Sequence, residues 1–230
     1  MRMMRLFAGA LLALFVNALP TSAQTWPSRP IRVIVPYAAG GATDVFARLV
    51  ASKLQDQMGT PVVVENRAGA GGNIGADAVA KAPPDGYTIL FNINGHAIAP
   101  AIYKSLPFDP DKDFAAITQL VSTATTLVAL PSLPVKNFQE FVALAKSRPG
   151  ALNYGSTGVG NSLHLIMELL MRDTGMVMTQ VPFRGDAPLI QAFMSGDIQA
   201  AVLPSSAAKP QMESGVVRAL GVTSAKRLNA

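Results

Sequence analysis

VIVPYAAGGATDVFARLV, residues 33–50, sets a β-branched run against a glycine pair and passes at once into a helical pattern. The run IRVIV (31–35) reads as a strand. From about 43 to 58, Val45, Phe46, Leu49, Val50 and Leu54 recur as a helical stripe that ends at Gly59. Downstream, VVVE (62–65) is a second strand, and the loop NRAGAGG leads into a small-residue helix over 73–81. PPDG (83–86) is a turn before a third strand, YTILF (87–91). Strands alternating with helices in this way imply a parallel sheet with helices on its faces.

A weaker helix near 96–103 precedes SLPFDPDKDF (105–114), whose three acids and two prolines read as a crossing loop. A second series then follows: FAAITQL, TTLVAL, a helix over 138–147 with Asn137 and Glu140 in a capping-box pattern, and ALNYGS. It continues with a helix over 162–174, MVMTQVPF, a helix near 187–195, IQAAVL, a short helix near 206–213 and VVRALGVTS. Two α/β series joined by a crossing loop predict two lobes. One layout occurs in both: VIVPYAAGGATDVFARLV and ALNYGSTGVGNSLHLIMELL each run strand, Tyr, glycine-rich turn, helix.

Half of the 230 residues are apolar, enough for a substantial core. The first 24 residues, MRMMRLFAGALLALFVNALPTSAQ, have a cationic start, an apolar run closed by Pro20 and a small-residue site at Thr21-Ser22-Ala23. They read as a cleaved secretory signal; the run from Leu6 to Leu19 is shorter than the ~20 residues of a membrane span. Removing Arg2 and Arg5 lowers the basic count from 19 to 17 against 14 acids, so the formal charge falls from +5 to +3. Lys and Arg are scattered singly, which argues against a nucleic-acid partner and leaves a small anion as the natural one. The absence of cysteine rules out disulfides, thiolate zinc sites and cysteine nucleophiles, and two histidines argue against a His-rich metal centre. Neither a metal nor a cofactor is expected.

A helix amino end leaves backbone N–H groups free and carries partial positive charge, so it favours carboxylate or phosphate. Glycine there lets a ligand approach the backbone, and in open parallel sheets ligands sit beyond the carboxyl ends of the strands. A tight strand-to-helix turn explains one glycine pair without any ligand; two such turns, one per lobe, favour a ligand clamp. Enzyme motifs fit poorly. GAGGNIG (69–75) has Ile74 where a dinucleotide fingerprint needs Gly or Ala, no phosphate-binding P-loop pattern occurs, and Tyr154 stands where a nucleophile elbow around Ser156 needs Gly. His164 reads as a helix-face residue that orients the loop or touches ligand, with base catalysis as the alternative. His96 is read as structural. Asp44 is a helix-dipole partner that, with Thr43, shapes the first turn. Arg184 stands open between a solvated cation and a carboxylate contact, and Met167, Met171, Met176 and Met178 read as core filling.

These pieces together resemble the Bug family, the tripartite tricarboxylate transporter substrate-binding proteins of bacteria. WPSRPIRVIVPYAAGGATDVFAR, VVVENRAGAGGNIGADAVAKAPPDGYT, PFDPDKDF, NYGSTGVGNSLH, VPFRGDAP and VRALGVTSAKR stand in family order from residue 26 to 227. The resemblance implies an α/β, two-lobed periplasmic binding protein of the Venus-flytrap, type II-like kind. It would act as a monomer, close on a small carboxylate and deliver it to the membrane subunits of a transporter, with no enzymatic step. Carried over, the first turn supplies Tyr37, Ala39, Gly40, Gly41 and Thr43, with Asp44 supporting it; the second supplies Ser156, Thr157 and Gly158, with His164 nearby; Arg184 and Gly185 face the cleft from a further loop. Leu203 stands where many relatives carry an acid, which disfavours a ligand with an amino group. The expected division is 25–112 for the first lobe, 113–222 for the second and 223–230 for the start of a return to the first, whose remaining return segment is expected to be absent. Two rival functions stay open here: an esterase or amidase using Ser156 and His164, and an orphan receptor that reports ligand to a sensor protein.

Overall fold

The structure, a computed structural model, describes residues 25–228; the expected secretory signal, residues 1–24, lies outside the described residues. The first lobe runs β1 (Ile31–Val35), α1 (Ala42–Met58), β2 (Val62–Asn66), a 3-10 turn (Ala70–Gly72), α2 (Asn73–Ala80), β3 (Thr88–Leu90) and α3 (Gly95–Ile102). Its sheet has the order β2-β1-β3 and is parallel throughout, with Val33 of β1 in register with Val64 and Ile89. Ile31, Val33 and Val35 pack with Ala47 and Ala51 of α1, while Ile34, on the other face by the two-residue period of a strand, is also buried.

Of the expected stripe on α1, Leu54 packs against the sheet's core, but the stripe's first turns are not the face set against the sheet. Val45 and Leu49 are 57% and 58% exposed, whereas Asp44, Ala47 and Ala51 are buried. These three also keep helical spacing, and their small bulk lets the helix lie close to the strands. Gly59 ends the helix in the left-handed region, φ 64°, its amide returning to Gln55 O at 3.0 Å.

The second lobe runs β4 (Thr125–Ala129), α4 (Phe138–Ser147), β5 (Asn153–Ser156), α5 (Ser162–Thr174), β6 (Thr179–Pro182), α6 (Asp186–Ser195), β7 (Ala200–Pro204), α7 (Ser205–Glu213) and β8 (Arg218–Val222). Its sheet order is β6-β5-β7-β4-β8. β5 runs parallel to β6 and β7, while β4 lies between β7 and β8 and is antiparallel to both. Both faces of the sheet are covered. Leu127, Ala129, Ala200 and Val202 point to one cluster with Phe141 and Met167, while Val128, Ala201 and Leu203 point to another with Leu189 and Phe193. Met167, Met176 and Met178 are core residues, as expected, with Met171 packed against them.

FAAITQL, expected among the elements of the second series, belongs to no helix or strand, and its Ile117 and Leu120 are 75% and 52% exposed. A strand needs a ladder partner, and this segment pairs with neither sheet. The capping box, by contrast, forms: Asn137 Oδ1 accepts the Glu140 amide at 2.9 Å, and Glu140 Oε2 accepts the Lys136 amide at 2.7 Å.

Candidate functional site

The turn after β1 is held from below by one buried carboxylate. Asp44 Oδ2 accepts the Gly40 amide at 2.9 Å and Arg48 Nε at 3.0 Å, while Oδ1 accepts Asn66 Nδ2 at 2.9 Å. Asn66 also donates to the Tyr37 carbonyl at 3.0 Å, so β2 ties down both ends of the turn. Burial by itself pushes the Asp44 carboxyl up. The hydrogen bonds from Arg48, Gly40 and Asn66, with the Arg48 charge, outweigh it and hold the group below the usual carboxylate range. Tyr37 is 5% exposed, and its hydroxyl makes only long contacts, 3.5 Å to Gly71 O and 3.4 Å to Asn92 Oδ1. Burial, reinforced by Asp186 and Tyr103 nearby, pushes that hydroxyl well above its ordinary pKa.

The turn after β5 is built by α5's first residues. Asn161 Oδ1 accepts the His164 amide at 3.0 Å as an N-cap, and its Nδ2 donates to Thr157 Oγ1 at 2.6 Å. His164 Nδ1 accepts the Gly160 amide at 3.1 Å, and Nε2 stands 3.4 Å from Glu168 Oε1. Ser156 is fully buried; its hydroxyl accepts from Gln180 Nε2 at 2.8 Å and faces Gly158 O at 3.4 Å. The Ser156–His164 dyad of the hydrolase alternative is therefore not assembled: each ring nitrogen of His164 is engaged elsewhere, and the serine hydroxyl points into the lobe.

The lobes touch along a seam where backbone approaches backbone. The Ala38 amide donates to the Arg184 carbonyl at 2.8 Å, and a Cβ on Gly185 would stand 3.0 Å from Ala38 N. The Ala42 amide, at the amino end of α1, donates to Asp186 Oδ2 at 2.9 Å. On the other flank a Cβ on Gly158 would lie 2.9 Å from Gly71 Cα, and the Tyr103 hydroxyl donates to Val159 O at 2.9 Å. Gly95 sits between the two turns; a side chain there would meet Asn161 Cβ at 3.6 Å and the Tyr37 hydroxyl at 3.7 Å. A cavity of about 160 Å³ opens on the seam, bounded by Gly40, Gly41, Asp186, Ile190, Ser206 and Gln211. A larger one, about 260 Å³, lies outside the 3-10 turn between α2 and Tyr103, and no residue of either glycine turn lines it.

The structure thus places Tyr37, Ala39, Gly40, Gly41, Thr43 and Asp44 on one turn and sets Gly185 directly against it. Ser156, Thr157, Gly158 and His164 lie on the second turn, which meets the 3-10 turn across the seam. Arg184 reaches the seam through its carbonyl, while its side chain is exposed. Leu203 is fully buried in the core of the second lobe, so its identity does not bear on the seam. Sequence reasoning passed over Asp186, Asn161 and Tyr103. Asn161 was findable as an N-cap three residues before His164, and Asp186 as an acid opening a helix beside two residues already singled out; nothing in the sequence pointed to Tyr103. Among the described residues no group of three or more His, Asp or Glu gathers in a metal-holding arrangement, and no helix is long and apolar enough to cross a membrane.

A family model described as "Tripartite tricarboxylate transporter family receptor" matches residues 46–230. The chain is similar to the protein BugT of Bordetella pertussis, 37% identical over 231 aligned positions that cover 99% of this chain and 71% of that one. Among solved structures it resembles a protein of R. palustris solved with adipate, with a TM-score of 0.85 and 36% identity over 88% of this chain and 68% of that chain. It also resembles MatC from Rhodopseudomonas palustris with bound malate, with a TM-score of 0.84 and 34% identity over 88% and 69%.

Proposed function

The chain belongs to the tripartite tricarboxylate transporter receptor family, and on that premise we propose that it is a periplasmic, monomeric solute receptor that closes two lobes on a small carboxylate metabolite and delivers it to transporter membrane subunits. One observation carries the reading: a glycine turn capped by a helix amino end reaches the interlobe seam from each lobe, and the two converge at Gly95. Backbone N–H groups at such ends favour an anion. The adipate and malate held by two structural neighbours support a carboxylate. The receptor family and the separated Ser156 and His164 both speak against an enzyme.

On this reading Tyr37, Ala39, Gly40, Gly41 and Thr43 form one side of the ligand site, with Asp44 holding the turn. Ser156, Thr157 and Gly158 form the other, with His164 bracing it. Arg184 and Gly185 close the seam from the loop before α6. Closure is favoured because only the closed state brings both turns to the ligand.

The test is a thermal-shift screen over di- and tricarboxylates, aromatic acids and amino acids. A ligand at ~100 times its dissociation constant stabilises by about 2.7 kcal/mol, which at this size raises the melting temperature by roughly 5–10 °C. A well-folded sample whose melt no acid moves would overturn the receptor reading.

A further inference from the structure

Asp186 opens α6 on the second lobe, yet its carboxylate serves the first. Its Oδ2 accepts the Ala42 amide at 2.9 Å, a donor that the amino end of α1 leaves without an internal partner. The residue is 7% exposed and borders the seam cavity together with Gly40, Gly41 and Ala42. α1 has no cap of its own, since the residue before Ala42 is Gly41, which has no side chain to accept a hydrogen bond. The cap comes instead from the other lobe, 144 positions away. This contact leaves the turn free for a ligand. Gly40 is held by Asp44 and Ala42 by Asp186, and among the described residues no acceptor takes the amides of Ala39, Gly41 or Thr43.

Resting on the receptor reading above, we infer that Asp186 is a latch between the lobes: it caps α1 only when they are together, and so holds part of the ligand-free receptor closed. Opening parts the carboxylate from the helix end and returns the Ala42 amide to water. Both partners belong to the protein, so the bond forms before any acid arrives. The apparent affinity of a receptor whose binding-competent state is only partly populated scales with that population. Asp186 therefore raises the affinity for every cargo by the same factor without touching it, while the free amides of the first turn and the second turn opposite hold the acid itself.

The experiment measures the distance between two spin labels in the ligand-free full chain, which has no cysteine of its own. Lys53→Cys on α1 and Met194→Cys on α6 place the labels at exposed positions on the two helices that the contact joins. Asp186→Asn, Asp186→Ala, Ala42→Pro and the double variant Asp186→Ala with Ala42→Pro are compared in that background. Proline suits the first position of a helix, where it removes only the donor at issue, and Gly41, extended at φ −81° and ψ 170°, accepts a proline after it. Circular dichroism melts establish that each variant folds. The labelled chain is expected to show a short-distance, closed component, and Asp186→Asn should hold at least as much of it because the acceptor remains. Asp186→Ala and Ala42→Pro should each lower the ratio of closed to open molecules by about fivefold, the scale of one hydrogen bond. The double variant should lose no more than the worse of the two, since both cut the same bond. A native chain with no closed component, a ratio unmoved in the folded variants, or losses that multiply in the double variant overturn the latch. None of these results touches the receptor reading, which the acid screen decides separately.

Discussion

A side-chain carbon on Gly158 would stand 2.9 Å from the Cα of Gly71, so the second lobe meets the first with no side chain between them. Gly158→Ala should hold the lobes apart. Its φ of 131° adds strain, so a control is needed: Gly150, φ 74°, has nothing within 4 Å of its virtual Cβ. Gly150→Ala carries a left-handed backbone penalty of about 1–2 kcal/mol with no contact beside it, and should leave ligand affinity unchanged. Gly158→Ala should weaken the acid identified in the thermal screen by about tenfold or more, the equivalent of ~1.4 kcal/mol, as read by calorimetry.

Tyr103→Phe removes the hydroxyl that reaches Val159 O across the same flank. One such bond contributes ~1 kcal/mol. The expected result is about fivefold weaker ligand binding with little change in the melt of the ligand-free protein, because the bond joins lobes and does not build either one.

Asp44→Asn should destabilise the first lobe by about 2 kcal/mol at pH 7, since a buried carboxylate that receives three side-chain and backbone donors is replaced by a group whose amide cannot accept them all. The folded carboxyl is held below its usual value. Its contribution is therefore fully present above the unfolded value near ~3.9 and is lost as pH falls through the lower folded value. Urea midpoints of native and variant proteins should differ at neutral pH and converge in strong acid.

Asp186 has the opposite sign. Burial raises its folded pKa, so the folded state holds the proton more tightly than the unfolded chain does. The group costs no stability below about pH 3.9, and the cost grows as pH rises through the folded value. Asp186→Asn should accordingly be more stable than the native chain at pH 8 and indistinguishable from it in acid, in ligand-free urea titrations.

Much of this was legible from local signals. The β-branched run before a glycine pair located β1, the repeat of its layout, Tyr followed by a glycine-rich turn and a helix, located β5, and Asn137 with Glu140 marked the start of α4. These are short-range features, where the sequence neighbours are the structural neighbours. The antiparallel insertion of β4 was not legible, because a strand buried on both faces reads alike in either direction. The inward face of α1 was misplaced because two helical stripes compete on it, and packing distance to the sheet, not hydrophobicity, chose Ala47 and Ala51. The seam contacts were missed for a different reason. Ala42 and Asp186 are separated by 144 positions, and Tyr103 and Val159 by 56; such partners are chosen by how the lobes meet, which no local period records.

The contacts from Ala38 to Arg184 and from Gly71 to Gly158 are made by main chain on both sides. On the proposed receptor reading, a molecule that shuts on its own backbone would stop at the same place whatever fills the hollow. Substitutions along the cavity wall can therefore change the cargo while the outline of the shut molecule stays constant. On that reading, the proposed transporter subunits would receive the message "loaded" in one shape, independent of the chemistry of the load.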